Sequence, residues 1–246
     1  MPSRHDQPQG RCRRIGLLLP SSNTTQEMEF NRILPDGVTL HVARLPLRTV
    51  DPSATAKIVE DIETESQKLA DADVDAIVLA ATAPSSRNGI GYDKELIRRI
   101  ESASGCKATT ASTGLIDGLT ALNVKRLVIA APWSDATNVT SAGFIQASGF
   151  TVLAHRARGH VSNLEIGLLD EQTAFDMGVA IDQPDAQAVM LACGNWLTLG
   201  IVDRLESAIG KPVLTTNQVS LWAVLRLAGY QAPVFGWGRL LREYMG

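Results

Sequence analysis

Aromatic side chains make up only 5% of the 246 residues, and cysteine occurs three times, at Cys12, Cys106 and Cys193. So few thiols, none in a Cys-x-x-Cys pair, exclude a disulfide framework and a thiolate metal cluster, and they fit a reducing cytoplasm. No stretch offers 18 uninterrupted apolar residues, so no transmembrane helix is expected. The polar, basic opening Met1–Arg14 lacks the apolar centre of a signal peptide and reads as a flexible tail. Charge of either sign is not in excess. With 23 basic and 26 acidic residues and a net charge of −3, there is no general drive toward nucleic acid or an anionic membrane. The four histidines (His5, His41, His155 and His160) are scattered and predict no metal site. Neither Gly-x-x-x-x-Gly-Lys-Ser/Thr nor Gly-x-Gly-x-x-Gly occurs, which argues against a nucleotide ligand.

What the chain has in quantity is aliphatic sequence. Apolar residues are 45% of the total, enough for a large core without staples. Short runs rich in Val, Ile, Leu and Ala recur at Ile15–Pro20, Val38–Leu45, Val74–Ala81, Ala108–Ala111, Arg126–Ala131, Phe150–His155, Ala188–Cys193 and Val213–Thr216. Nearly continuous apolar runs of this length suit parallel strands covered on both faces. Between them lie amphipathic stretches: Ala54–Ala70 carries Ile58, Ile62 and Leu69 on one stripe, and Val202–Ile209 stops at Gly210. The alternation predicts an α/β protein with parallel sheets.

The chain also echoes itself. Leu17-Leu18-Leu19-Pro20-Ser21-Ser22-Asn23 answers to Ile129-Ala130-Ala131-Pro132-Trp133-Ser134-Asp135, and Ala76–Ala81 answers to Ala188–Cys193, both at an offset of 112. A third echo sets Ile100–Gly105 against Leu205–Gly210, followed by Thr109-Thr110 and Thr215-Thr216. These predict two pseudo-symmetric α/β halves, residues 15–118 and 119–246, after a tail of residues 1–14. The C-terminal segment is free to cross back to the first half, and a cleft lies between the halves.

In parallel α/β sheets, ligands sit beyond the carboxyl ends of the strands, where loops enter helices. Three such ends carry small polar residues. Pro20-Ser21-Ser22-Asn23-Thr24-Thr25 precedes a helical stretch and holds more donors than one N-cap requires, so it reads either as capping or as a carboxylate or phosphate site. Ala81-Thr82-Ala83-Pro84-Ser85-Ser86 and Cys193-Gly194-Asn195 occupy equivalent places in the two halves. A thiol at a strand end, with backbone N–H groups aimed at it, is expected to have a lowered pKa; Cys12 and Cys106 lack that setting. Trp133, Trp196 and Trp222 are candidates for an aromatic pocket, with Trp222 better read as core. Asp135 and Glu165 read as helix-start or solvated carboxylates in preference to general bases.

Pro20-Ser21-Ser22-Asn23-Thr24-Thr25, the Cys193 strand end and Gly210-Lys211-Pro212-Val213 together resemble the maleate isomerases and arylmalonate decarboxylases of the aspartate/glutamate racemase superfamily. The likeness runs from Ile15 to about Leu241. The resemblance implies two pseudo-symmetric halves, an active site between them, no cofactor, no metal and a homo-oligomer. Isomerases and racemases of this kind use two cysteines, one from each half, and here the first-half position is Ala81. The decarboxylases also lack that first thiol, having glycine there. By resemblance, Cys193 is a proton donor to an enediolate, Thr82 and Gly194 belong to its oxyanion pocket, and Asn23 and Asn163 match asparagines that hold substrate carboxylates. Ala83 replaces a family serine and Trp133 a family tyrosine.

The expected function is therefore a cofactor-independent cysteine enzyme acting at the carbon α to a carboxylate of a small dicarboxylate. Decarboxylation of a substituted malonate comes first. Maleate cis–trans isomerisation or racemisation is the alternative, favoured if Ala81 replaces a native cysteine. A non-catalytic carboxylate-binding relic is a second alternative. On this reading a thiol titrating above about 8.5, its unperturbed value, speaks against both enzymes.

Overall fold

The computed structural model describes residues 12–50, 54 and 58–246. The predicted tail therefore lies almost wholly outside the described residues, as does part of the predicted Ala54–Ala70 helix. The first half runs β1 (Arg13–Pro20), α1 (Gln26–Ile33), β2 (Val38–Leu45), α2 (Ile62–Asp71), β3 (Ala76–Leu79), α3 (Thr82–Ser86), α4 (Tyr92–Ser104), β4 (Lys107–Thr110) and α5 (Ala111–Ala121). The second runs β5 (Arg126–Trp133), α6 (Asp135–Ala147), β6 (Thr151–His160), α7 (Asn163–Ile166), α8 (Glu171–Ile181), β7 (Ala188–Leu191), α9 (Val202–Ile209), β8 (Val213–Thr215), α10 (Thr216–Leu227) and α11 (Arg239–Glu243).

The strands form two four-stranded parallel sheets, in the orders β2-β1-β3-β4 and β6-β5-β7-β8. Adding four to each number of the first order gives the second, so the duplication read in the sequence is a duplication of topology. It extends to register. Ile15 pairs with Ala76 and Leu127 with Ala188, the same ladder position displaced by 112 residues. At the fourth strand the correspondence is Thr110 with Thr215, each N-capping its helix by accepting a bond from the amide three residues on. Thr109 therefore answers to Leu214 and Ala111 to Thr216, one residue out from the pairing expected from the Thr-Thr echo. Gly105 and Gly210 end the equivalent helices α4 and α9, each with φ near +71°, a conformation open to glycine without a Cβ penalty.

Apolar content sorted the strands by depth. The central strands β1, β3, β5 and β7 are buried along nearly their whole length, as strands with neighbours on both edges and helices on both faces must be. The outer strand β6 is half-exposed and runs on through the polar Arg156-Ala157-Arg158-Gly159-His160, longer than its apolar run predicted, because an edge strand needs no buried side chain to keep its ladder. β3 and β7, in contrast, end two residues before Ala81 and Cys193.

The halves join through the equivalent helices α5 and α10. A Cβ on Gly114 of α5 would stand 2.8 Å from the Val219 carbonyl oxygen of α10, which sets how closely the two backbones cross. Leu240 of α11 lies against Gly118. One large core runs through both sheets, and a second, smaller one fills the outer face of the first sheet. Among the described residues no helix is long and apolar enough to cross a membrane, and no group of three or more His, Cys, Asp or Glu could hold a metal ion.

Candidate active site

A cavity lies between the carboxyl ends of the two sheets. The β1–α1 loop contributes Asn23, the β3–α3 junction Ala81, Thr82 and Ala83, the end of β5 Trp133, the start of α7 Asn163, and the turn after β7 Cys193 and Gly194. All eight residues singled out in the sequence thus line one cavity. Leu47, Val50, Pro20 and Pro84 supply an apolar wall, and Asn195 completes the polar side. Among the described residues of the lining, Cys193 is the one ionisable side chain, and the donors these residues offer a carboxylate are neutral. Thr82 and Ala83 open α3, where helical geometry leaves amide N–H groups without acceptors.

Cys193 sits in an unusual backbone conformation, φ +140°, whereas the equivalent Ala81 is ordinarily extended at φ −137°. For a residue with a Cβ such a conformation costs about 1–3 kcal/mol and persists only when its surroundings over-determine it. Here Thr216 Oγ1 accepts the Cys193 amide at 3.0 Å and stands 2.9 Å from Thr82 Oγ1. Either hydroxyl can donate in the Thr82–Thr216 pair; when Thr216 donates, the Thr82 hydroxyl proton is free to point elsewhere. In the first half the residue equivalent to Thr216 is Ala111, so both the thiol and the hydroxyl that pins it belong to the second half alone.

The thiol itself departs from expectation. Its sulfur receives a backbone hydrogen bond from Asn195, which lowers the pKa as foreseen, but burial outweighs it and pushes the group up to about 12. The sequence pointed to the hydrogen bond; it held no measure of the desolvation, which at 4% exposure dominates. Cys193 is a thiol at neutral pH. The criterion that a high pKa excludes enzyme function applies to a thiolate nucleophile, whereas a proton donor has to carry its proton.

The polar run after β1 is mostly structural. Ser21 and Ser22 bond the backbone carbonyl of Leu47, Thr24 donates its amide to Asn195 Oδ1 at 2.7 Å, and Thr25 Oγ1 donates to the Gly194 carbonyl at 3.1 Å. The surplus of donors fastens the first half to the Cys193 turn. Asn23 caps α1, its Oδ1 accepting the amides of Thr25 and Gln26 at 3.0 and 2.9 Å. Asn163 spends one Nδ2 hydrogen on Ser22 Oγ at 2.8 Å. Asn195 donates to the Asn163 carbonyl at 2.6 Å and so ties the turn to α7.

Of the three tryptophans, only Trp133 lines this cavity, its Nε1 donating to Asn138 at 3.3 Å. Trp196 is wholly buried with an unpartnered Nε1, and Trp222 is core, bonded to the Tyr244 carbonyl. Asp135 and Glu165 are solvent-exposed beside His155 and His160. Sequence reading missed Thr216 as the anchor of Cys193, Asn195 as the tie between loops, and the buried Glu29. For Thr216 a signal existed in the Thr-Thr echo, once its register is taken from the N-caps.

This arrangement has known counterparts. The sequence pattern of the arylmalonate decarboxylase family matches residues 15–241. The chain belongs to this family. Arylmalonate decarboxylase of Bordetella bronchiseptica is 27% identical over 232 residues, 93% of this chain and 96% of that protein. Maleate isomerase of Nocardia farcinica is 29% identical over 245 residues, 94% and 96% of the two chains. In structure, a cysteine variant of the Nocardia farcinica maleate cis–trans isomerase, with a covalently bound succinylcysteine intermediate, superposes with a TM-score of 0.90 at 26% identity, over 94% of this chain and 98% of that one. Enzymes of both kinds thus stand at nearly the same distance from this arylmalonate decarboxylase family member, and the choice between their chemistries rests on its own residues.

Proposed function

We propose that the protein decarboxylates a small substituted malonate without a cofactor, with Cys193 as the proton donor. The observation that carries this reading is the pairing of strand ends on the cavity: a buried, protonated thiol at Cys193 and a chemically inert Ala81 at the equivalent place. Isomerisation through a covalent adduct needs a nucleophilic thiolate, and burial opposes that state here.

In the proposed reaction the bond between the α-carbon and one carboxylate breaks. Carbon dioxide leaves, and the electron pair stays on the α-carbon, delocalised into the retained carboxylate as an enediolate. That group gains a second negative charge, so donors aimed at it stabilise the transition state more than the ground state. The Thr82 hydroxyl, the free amides of Thr82 and Ala83, the Gly194 amide and the Asn23 side chain supply them. The departing carboxylate faces Leu47, Val50 and Pro84, and a flat substituent lies along Trp133. Cys193 Sγ gives its proton to the α-carbon, and solvent returns one to the thiolate.

Proton NMR in deuterated buffer tests this, with phenylmalonate, methyl-phenylmalonate and maleate offered to the protein and to Cys193→Ala. Loss of carbon dioxide with one deuterium placed on the α-carbon, abolished by the substitution, is the expected result. Conversion of maleate to fumarate would overturn it in favour of the isomerase. Silence on all three, with binding retained, would favour a carboxylate-binding protein.

A further inference from the structure

Glu29 is a carboxylate enclosed in the interface between the halves, 1% exposed and absent from the cavity lining. It projects from α1 of the first half into the second. Its Oε1 accepts the amides of Thr198 and Leu199, each at 2.9 Å, and its Oε2 accepts Asn217 Nδ2. Thr198 and Leu199 close the loop that starts at Cys193. Asn217 follows Thr216, whose hydroxyl holds the Cys193 amide. A single carboxylate therefore grips both the downstream loop and the helix start behind the thiol. We propose that Glu29 is a positioning residue for Cys193, and that loss of its charge releases the turn from its strained conformation. The inference rests on Cys193 being the reacting thiol.

The chemistry of the surrounding groups makes this a two-state arrangement. An ionised carboxylate only accepts, and every partner here donates. Protonation turns one oxygen into a donor, which then faces the Asn217 amide nitrogen. Asn217 Oδ1 is buried without a partner, so turning over the Asn217 amide presents an acceptor to the new proton. That rotation replaces the bond that anchors the first turn of α10, next to Thr216. Thr198 Oγ1 and both amide atoms of Gln26 are also buried and unpartnered, and the Gln26 side chain lies against Gly194. The Cys193 turn is thus backed by polar groups able to exchange partners.

Burial pushes Glu29 up to about 7, against the lowering effect of its three hydrogen bonds. Among the described residues, the charged group acting on it across the interface is Glu171 at the start of α8, which raises it further; Glu171 itself lies 3.8 Å from Arg32 of α1. The switch therefore falls in the neutral range.

The test follows the backbone amide resonances of Cys193, Asn195, Thr198 and Leu199 by NMR from pH 5 to 8.5, in a Cys12→Ser/Cys106→Ser background. All four are expected to titrate together with a midpoint near 7. Glu29→Gln removes the step. Asn217→Ala, which takes away one stabilising donor, moves the midpoint to higher pH. In turnover assays Glu29→Gln loses the acidic limb of the kcat profile, and kcat falls about 10-fold or more with KM little changed. A Cys193 amide that stays flat while Thr198 and Leu199 titrate would overturn the coupling, as would four flat amides. Should Glu29→Gln fail to fold, an unmoved midpoint in Asn217→Ala overturns it equally. Absence of turnover on every substrate, with the amide titration intact, would fault the decarboxylase reading and leave the coupling standing.

Discussion

Thr216 Oγ1 lies 3.0 Å from the backbone nitrogen of Cys193 and accepts its hydrogen bond, while standing 2.9 Å from Thr82 Oγ1 across the interface. One hydroxyl from the second half thus couples the conformation of the thiol-bearing turn to a donor from the first. Thr216→Val keeps the volume and removes both bonds, leaving the Cys193 amide unsatisfied. Such a loss costs about 1–3 kcal/mol. The expected result is a lower urea midpoint, and a kcat that falls more than fold stability alone explains, both measured on the same preparation.

Thr82→Val isolates the oxyanion side. Among the described residues the cavity lining has no cationic side chain, so each neutral donor there carries a large share of the charge stabilisation. Removing one such donor lowers kcat by roughly 10²–10³-fold in well-studied cases. A comparable fall is expected with KM changed far less. A change confined to KM would place Thr82 in uniform binding instead.

Ala81→Cys places a thiol at the strand end equivalent to Cys193. With a second acid–base group on the cavity, the α-proton of the monocarboxylate product becomes removable as well as deliverable. The expected gain is deuterium exchange at the α-carbon of product incubated in deuterium oxide, absent from the parent protein and from Ala81→Ser.

Gly114→Ala tests the joint between the halves. Its new Cβ would meet the Val219 carbonyl oxygen at 2.8 Å and the Ala223 Cβ at 3.1 Å, and two helix backbones would have to separate. Overpacking of this kind costs about 1–3 kcal/mol, or roughly 2–4 °C of Tm per kcal/mol in a chain of this size. Differential scanning calorimetry should show the drop.

Stability should also depend on pH through Glu29. Its folded-state pKa, about 7, is raised above the ordinary value of 4.5, so between these limits the native state holds a proton that the unfolded chain has released. Stability from this group is full below about pH 4.5 and is lost as pH rises toward 7, at up to about 1.4 kcal/mol per pH unit. Glu206 and Asp117, also raised by burial, add in the same direction. Urea midpoints at pH 5 and 7 should fall less steeply in Glu29→Gln than in the parent.

Much of this architecture was legible as pattern. Repeated apolar runs marked all eight strands because buried parallel strands require them, and the offset of 112 residues reappears as ladder register in Ile15–Ala76 and Leu127–Ala188. The cavity residues were legible because they end strands and the duplication aligns those ends. What escaped reading is long-range pairing and solvation. Thr216 is 23 residues from Cys193 and Glu29 is 169 from Thr198, and no local rule joins them. The sign of the Cys193 shift escaped because it balances one hydrogen bond against an enclosure that only the assembled halves create.

The repetition of strand order in the two sheets has a stereochemical consequence. Ala81 and Cys193 occupy equivalent strand ends on one cavity, and a twofold relation between the halves would direct such positions at opposite faces of a planar guest. Under the proposed reaction a lone sulfur at position 193 protonates one face only, so the product is a single enantiomer. Moving the sulfur across the pseudo-axis, in Ala81→Cys/Cys193→Ala, should yield its mirror image.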